Sequence, residues 1–140
     1  MKRIFLFILI LFLFTTSAFA EERVLEIRAI KFSYTPNIIK VSKGDSVRIR
    51  LISEDVTHGL FIDGYGLNIS AHPGQDGQLQ FVADKTGRFS FRCSVTCGEF
   101  HPYMVGYLTV EPNSRFHFYA LLTAVLGLAS FAGIMLKKRR

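Results

Sequence analysis

The chain has 140 residues, 49% of them hydrophobic, with 17 Lys+Arg, 11 Asp+Glu and a formal net charge of +6. This length allows one compact domain plus appendages, and the apolar excess indicates that some residues belong to membrane segments. The excess positive charge lies at the two ends, because residues 21–113 hold ten basic and eleven acidic residues. A nearly neutral middle gives no basis for a nucleic-acid-binding function.

The N-terminus has the pattern of an export signal. Lys2 and Arg3 precede an eleven-residue apolar run, residues 4–14, and small residues before Ala20 offer a cleavage site. We therefore expect residues 1–20 to be a signal peptide that is removed after Ala20. An uncleaved anchor is the alternative, although this run is too short to cross a hydrocarbon layer of ~30 Å. Either interpretation exports the residues that follow.

The C-terminus predicts a membrane-spanning helix. Residues 118–136 are nineteen residues without a charge, and as a helix they would cover roughly 28 Å. A buried helix of a soluble core is the alternative, but four basic residues, 137–140, follow at once, as expected of a cytoplasmic end. We expect residues 114–140 to form a single-pass anchor in the cell (inner) membrane, with residues 21–113 as a domain on its periplasmic or extracellular side.

Residues 21–113 have the periodicity of β-strands. The apolar residues Val47, Ile49 and Leu51 occupy every second position. This spacing indicates a strand with one buried face. Turn residues at 33–36 and 43–45 end the first two apolar runs. The predicted strands lie near residues 24–32, 38–41, 47–52, 58–62, 67–70, 78–83, 88–92 and 105–111. Short strands without a helical period predict an all-β, antiparallel sandwich.

One segment between two predicted strands concentrates soft metal donors. Residues 93–104, CSVTCGEFHPYM, hold both cysteines of the chain, together with His101 and Met104. Thiolate and thioether sulfur beside imidazole favours copper, whereas Mg²⁺ and Ca²⁺ take oxygen ligands. The segment therefore predicts a copper site in a loop at one end of the sandwich, with the upstream His58 as a further imidazole.

Other uses of these residues remain open at this point. An exported protein with an even cysteine count usually forms disulfides, and Cys93 and Cys97 are close enough to join. Zinc held by two Cys and two His is chemically plausible but leaves Met104 unused. A mononuclear blue-copper site needs only one Cys. Two thiolates four residues apart are used most economically as bridges between two copper ions. His72 and Glu99 are interpreted as surface residues.

A family resemblance supports the copper interpretation. The pattern Cys-x₃-Cys-Gly-x₂-His-x₂-Met, after Asp-Val-Thr-His-Gly at residues 55–59, resembles the binuclear copper A domain of cytochrome c oxidase subunit II and the similar domain of nitrous oxide reductase. The resemblance covers most of residues 45–112, including Pro73-Gly74 and residues 81–87. It implies a cupredoxin-like Greek-key β-sandwich that transfers electrons and is not catalytic alone.

The same resemblance assigns the ligands. They are His58, Cys93, Val95, Cys97, His101 and Met104. The two cysteines would bridge two copper ions, and each histidine would be the terminal imidazole of one ion. Met104 would be the weak axial ligand of one copper, and the backbone carbonyl of Val95 that of the other.

The resemblance also implies the partners, with some departures from the family. The oxidase subunits commonly carry Glu at the place of Val95, an N-terminal membrane hairpin and a Trp-containing entry patch, whereas this chain has no Trp. The expected function is single-electron transfer from a donor such as cytochrome c to the catalytic subunit of a membrane oxidase or reductase. The alternative is a copper-delivery protein for the assembly of such an enzyme, which would exchange Cu(I) easily.

Overall fold

The computed structural model describes residues 21–139, without the side chains of residues 115–117 and 138–139. The predicted signal peptide, residues 1–20, lies outside the described residues. The strands are β1 Glu22–Ile30, β2 Ser33–Thr35, β3 Ile38–Ser42, β4 Ser46–Ser53, β5 His58–Ile62, β6 Leu67–Ala71, β7 Gly77–Val82, β8 Gly87–Arg92 and β9 Val105–Glu111. One helix, α1, spans Ser114–Arg139.

The strands form two sheets, which confirms the predicted sandwich. One sheet has the order β2-β1-β4-β7 and the other the order β3-β9-β8-β5-β6. The sheets are mixed and not purely antiparallel as predicted, because β1 pairs in parallel with β4 and β3 in parallel with β9. Side-chain alternation identifies a strand but carries no information on the direction of its neighbour, so the sequence could not show this.

The core lies between the two sheets. Along β4, Val47, Ile49 and Leu51 are at most 1% exposed, whereas Arg48 and Arg50 face solvent. This is the predicted alternation, and each buried side chain of this size contributes roughly 1.5–3 kcal/mol. The other buried apolar side chains of both sheets include Ile27, Ala29, Tyr34, Ile39, Val41, Leu60, Ile62, Phe91, Leu108 and Val110.

The segment predicted as a turn at residues 33–36 is partly a strand. The turn lies earlier, at residues 31–32, and β2 pairs back onto β1, with Tyr34 opposite Ala29. The turn prediction was wrong because Ser and Thr were weighed by propensity alone, while Tyr34 between them is 3% exposed and packs into the core.

The C-terminal helix is a separate unit. Within α1, residues Phe118–Lys137 form the one helical stretch of residues 21–139 that is long and apolar enough to cross a membrane. This confirms the predicted apolar helix.

β5 and β8 pair over a short distance only, and this positions the site. Phe61 lies opposite Arg92, and Ile62 lies opposite Phe91. Beyond this point β8 ends. On the β8 side, His58 and Gly59 at the start of β5 therefore face a loop and not a strand.

Candidate metal centre

The ligand loop, residues 93–104, connects β8 to β9 at one end of the sandwich. Arg92 and Val105 pair at its base, and the Cys93 N–H donates to the Met104 carbonyl oxygen at 3.2 Å. A 3₁₀ turn, His101–Tyr103, folds the second half of the loop. The two ends of the loop are therefore held side by side, which brings residues from both ends to one place.

The two thiols lie at the centre of the site. Cys93 and Cys97 are free, 4% and 6% exposed, and their sulfur atoms are 3.7 Å apart. The Cys97 sulfur also lies 3.7 Å from His101 Nδ1 and 3.9 Å from the Met104 sulfur. The Cys93 thiol donates to the Val95 carbonyl oxygen at 3.1 Å. Every donor that the sequence predicted in the loop thus lies next to one of the two thiols.

His58 brings the second imidazole to these thiols from another strand. It is 0% exposed, and one ligand atom each from His58, Cys93 and Cys97 all lie within 4.8 Å of one another. Its Nε2 is 2.7 Å from Asp55 Oδ1, whereas its buried Nδ1 has no hydrogen-bond partner among residues 21–139. A buried ring nitrogen without a partner is unfavourable by itself, and a metal ion would satisfy it.

Asp55 fixes which nitrogen of His58 is available. Its carboxylate accepts the backbone N–H groups of Lys31 at 3.0 Å and Val56 at 2.7 Å, in addition to the His58 ring. Burial opposes ionisation of Asp55, but the bonds from His58, Lys31 and Val56 outweigh it and hold its pKa below the ordinary value. An ionised Asp55 accepts the proton of Nε2, which leaves the lone pair of Nδ1 for a metal.

The donor set fits copper. It combines two thiols, a thioether, two imidazoles and one carbonyl oxygen, and such soft and borderline donors suit copper. A carboxylate, Asp55, lies behind His58 and not among the donor atoms, which disfavours Ca²⁺ or Mg²⁺.

The Cys97 thiol is protonated in the metal-free protein at neutral pH. Burial, together with the hydrogen bond to Cys93 and the charge of Cys93, raises the pKa of Cys97 to about 11. Because metals bind the thiolate, loading the site must release this proton.

A buried tyrosine also reaches the site. The Tyr34 hydroxyl donates to the Gly59 carbonyl oxygen at 2.6 Å, and the Gly59 N–H donates to the Cys93 sulfur at 3.4 Å. Burial raises the pKa of Tyr34 well above its ordinary range, and the charge of an ionised Cys93 thiol raises it further. Tyr34 is therefore a neutral hydroxyl donor behind the site.

Gly98 lets the ligand loop lie close to the turn between β1 and β2. Its φ is +145°, and a Cβ atom at this position would lie 2.8 Å from the Phe32 ring. Phe32 in turn packs against Phe100, with ring centroids 5.5 Å apart. A larger residue at position 98 would displace the loop that holds the thiols.

An aromatic rim, formed by Phe100 and Tyr103, is exposed in the ligand loop. Phe100 and Tyr103, 56% and 79% exposed, flank His101 in the ligand loop, and their ring centroids are 6.4 Å apart. Glu99 is exposed beside them. His101 is thus the predicted site residue nearest to an exposed apolar surface.

The structure brings all six predicted site residues to one end of the sandwich, and His72 is not part of the cluster of ligand atoms formed by His58, Cys93 and Cys97. His72 is exposed, with its Nδ1 2.7 Å from the Thr57 hydroxyl. Sequence reasoning assigned no role to Asp55 or Tyr34. The position of Asp55, three residues before a candidate ligand histidine, was a signal for its role. No local pattern marked Tyr34.

Comparisons with known proteins agree with this geometry. The fold is that of small copper proteins, since 64% of the chain superposes on 99% of Auracyanin A, a "blue" copper protein of Chloroflexus aurantiacus, with a TM-score of 0.54 at 18% identity. Residues 12–110 match the family model for the cytochrome c oxidase subunit II periplasmic domain. The chain belongs to this family.

Individual relatives match over the same region. Cytochrome c oxidase subunit 2 of Thermus thermophilus is 30% identical over 83 residues, which cover 59% of this chain and 62% of that protein. Nitrous-oxide reductase of Stutzerimonas stutzeri is 37% identical over 76 residues, 51% of this chain and 12% of the reductase. The chain therefore spans less than two thirds of the curated relatives it matches.

Solved structures of oxidases are also similar. A chain of a heme-copper terminal oxidase dimer is 27% identical with a TM-score of 0.59, over 69% of this chain and 68% of that one. The periplasmic domain of oxidase subunit II of Bradyrhizobium japonicum has a TM-score of 0.60 at 20% identity, over 73% of this chain and 93% of that one.

Proposed function

We propose that this chain is a membrane-anchored copper A protein that transfers single electrons to a membrane oxidase or reductase. The observation that carries the proposal is a pair of buried free thiols whose sulfur atoms are 3.7 Å apart. A ligand atom of His58 and the two sulfur atoms all lie within 4.8 Å of one another. Two thiols at this separation, each with an imidazole near it, form a donor set for two metal ions that share the sulfurs.

Each predicted residue has one role in this site. Cys93 and Cys97 would hold both ions through their thiolates, while His58 and His101 would each bind one ion. Met104 and the Val95 carbonyl would be the weaker ligands, since they lie 3.9 Å from the Cys97 sulfur and 3.1 Å from the Cys93 sulfur respectively.

The protein contributes rigidity and exclusion of water. Asp55 orients the His58 ring, and the strand ends at Arg92 and Val105 hold the loop closed. Because Cys93, His58 and Met104 are at most 4% exposed, water does not reach their donor atoms. A bound copper pair would accept and release one electron at a time. Because such a fixed donor set rearranges little when the electron arrives or leaves, electron transfer is fast.

The aromatic rim supports electron entry at this end. Phe100 and Tyr103 flank His101 and expose apolar rings, so a donor such as cytochrome c could approach within contact of a ligand residue. The acceptor is the catalytic subunit of a membrane enzyme, as the similarity to a heme-copper terminal oxidase chain suggests. The copper-delivery alternative is not favoured, because the relatives are oxidase subunits and reductases.

Copper stoichiometry combined with electron paramagnetic resonance tests the function. The purified full chain in detergent should bind two copper ions and show the spectrum of one electron shared equally by both. Binding of one copper, with a spectrum localised on a single ion, would refute the binuclear assignment. Rapid loss of Cu(I) to a mild chelator, with no mixed-valence state, would instead support delivery.

The membrane arrangement is part of the proposal. Residues 1–20 act as the export signal, residues 21–113 form the copper domain, and residues 114–140 anchor it with the basic end in the cytoplasm. The observations that support it are the strands, which end at Glu111, and the apolar helix, which begins at Ser114. A chain shortened to residues 21–113 should be recovered without detergent and bind copper. Recovery in detergent only would contradict these boundaries.

A further inference from the structure

We propose that Tyr34 is a positioning residue that sets the reduction potential of the metal centre. Its hydroxyl holds Gly59 so that the Gly59 N–H points at the Cys93 sulfur. The inference rests on the proposed function, in which Cys93 is a bridging ligand.

At Gly59, β5 keeps its pairing with β6 but has no strand beside it on the β8 side. β5 pairs with β8 only at Phe61 and Ile62, so at Gly59 the edge of β5 faces the ligand loop. In a strand, the N–H and C=O of one residue point to the same side. At Gly59 the Cys93 sulfur accepts the N–H at 3.4 Å, and the Tyr34 hydroxyl donates to the C=O at 2.6 Å. Two side chains thus replace the missing ladder bonds.

The pairing with β6 holds one edge of β5, but the N–H and C=O of Gly59 point to the other edge, where no strand holds their direction. A Cβ atom there would lie 2.9 Å from the Ser94 backbone nitrogen and closer still to the Ser94 hydroxyl, so the position excludes a side chain. Glycine has the greatest conformational freedom of any residue, and both of its dihedral angles are soft. The bond from Tyr34 fixes the peptide on the C-terminal side of Gly59, and through it the direction of the N–H on the other side.

Tyr34 is itself held firmly. It is 3% exposed, it belongs to β2 in the opposite sheet, and its ring packs edge-on against Phe91 with centroids 5.3 Å apart. The hydroxyl therefore reaches across the core from one sheet to the other. It does not belong to the ligand loop, so its hydroxyl ties Gly59 to the opposite sheet.

A hydrogen bond to a ligating sulfur draws electron density away from it. The reduced, more electron-rich state of the metal site gains most from this, so the bond raises the reduction potential. Loss of the Tyr34 hydroxyl leaves the Gly59 carbonyl without its donor and lets the N–H turn away from Cys93. The potential should then fall, although no ligand has been changed.

A purely structural role for Tyr34 predicts a different result, and Tyr65 provides the matched control. The Tyr65 hydroxyl also donates to a backbone carbonyl, that of Lys85 at 3.2 Å, and its ring also packs against a phenylalanine, Phe89, at 5.0 Å. It makes no contact with the ligand loop among the described interactions. If the hydroxyls only stabilise the sandwich, Tyr34→Phe and Tyr65→Phe should differ only in stability.

The test uses the full chain in detergent, with and without copper. Three properties are measured for the wild type, Tyr34→Phe and Tyr65→Phe: copper per chain, reduction potential, and exchange of the Gly59 amide hydrogen by mass spectrometry. Tyr34→Phe should keep two coppers, have a lower potential and exchange the Gly59 amide at least several times faster. Tyr65→Phe should match the wild type in all three. An unchanged potential in Tyr34→Phe, or an equal fall in Tyr65→Phe, would overturn the proposal.

Two further arms keep the result decisive. If Tyr34→Phe does not fold, 4-fluorophenylalanine at position 34 fills the place of the hydroxyl without donating, and the same outcomes apply. 4-Aminophenylalanine, which restores a donor, should bring the potential back toward the wild-type value. If the wild type itself shows no two-copper centre, the proposed function fails. The positioning role is then judged on the metal-free chain, where faster Gly59 exchange in Tyr34→Phe alone supports it and equal exchange refutes it.

Discussion

The ligand-loop end of the sandwich and the outer face of the four-stranded sheet both carry polar networks, but of opposite kinds. On the outer face, arginines of β1 and β4 form ion pairs such as Arg48–Glu22 at 2.9 Å and Arg28–Glu54 at 3.0 Å, with side chains about half exposed. At the ligand loop, His58 and Tyr34 are buried, and each is held by a short directed hydrogen bond, to Asp55 and to the Gly59 carbonyl respectively.

This difference teaches where substitutions matter. An exposed ion pair contributes ~0–1 kcal/mol because water and salt replace it easily. A buried polar group that loses its partner costs ~1–3 kcal/mol, because nothing replaces it. The outer face therefore maintains solubility and tolerates change, whereas the site depends on single atoms.

The largest effect is expected for a bridging thiol. Cys97→Ser replaces a sulfur near Cys93, His101 and Met104 with a hard, poor ligand. The centre should fall from two coppers to one or none, as measured by metal analysis and electron paramagnetic resonance.

The control for this substitution lies in the same loop. Ser94→Ala removes a hydroxyl that donates to Asn68 at 2.7 Å and does not contact the donor atoms. It should keep both coppers. Two coppers and an unchanged spectrum in Cys97→Ser would refute the bridge.

A paired substitution tests the comparison directly. Asp55→Asn keeps the shape of the residue behind His58 but removes its charge, so copper affinity should fall by ~10–100-fold, as for other residues that support a metal-ligating histidine. Asp76→Asn breaks the ion pair with Arg50, 2.7 Å away on the outer face. Competition titration with a copper chelator should detect a change only in Asp55→Asn. Equal affinities in both variants would show that Asp55 does not orient His58.

The ligand set could be predicted from sequence because it is largely local. Five of the six residues lie in a twelve-residue loop, where spacing alone brings donors together, and His58 begins a strand that the sequence also predicts. The contact between Tyr34 and Gly59 was not predictable, since it joins residues 25 positions apart in different sheets. It depends on how the sheets pack and on β8 ending at Arg92, and no local pattern carries either fact.

Alkaline pH should weaken the metal-free protein more than the copper-loaded one. The pKa of Cys97 is raised by burial from 9.0 to about 11 in the fold. The folded value exceeds the unfolded one, so the stabilising effect is complete below pH ~9 and is lost as pH rises toward ~11. Two pKa units correspond to about 2 kcal/mol after allowance for coupling between the thiols.

Urea unfolding of the metal-free chain at pH 8 and pH 11 measures this loss. In the copper-loaded chain the thiols have already given up their protons, so the same rise in pH should not change stability through Cys97. A metal-free chain whose stability does not fall over this interval would show that Cys97 is not held as a neutral thiol.

The smallest structural effect is expected at the axial position. Met104 is fully buried and its sulfur lies 3.9 Å from that of Cys97. Met104→Leu is close to volume-conserving, so the free energy of unfolding should change by less than ~1.5 kcal/mol. A weak axial ligand contributes little to holding the metal but tunes its potential. The variant should therefore keep two coppers and shift the reduction potential.

Met135→Leu makes the same exchange in α1, outside the copper domain, and should leave the potential unchanged. Loss of copper in Met104→Leu would mean that Met104 is a strong ligand, and an unchanged potential would mean that it is only a core residue.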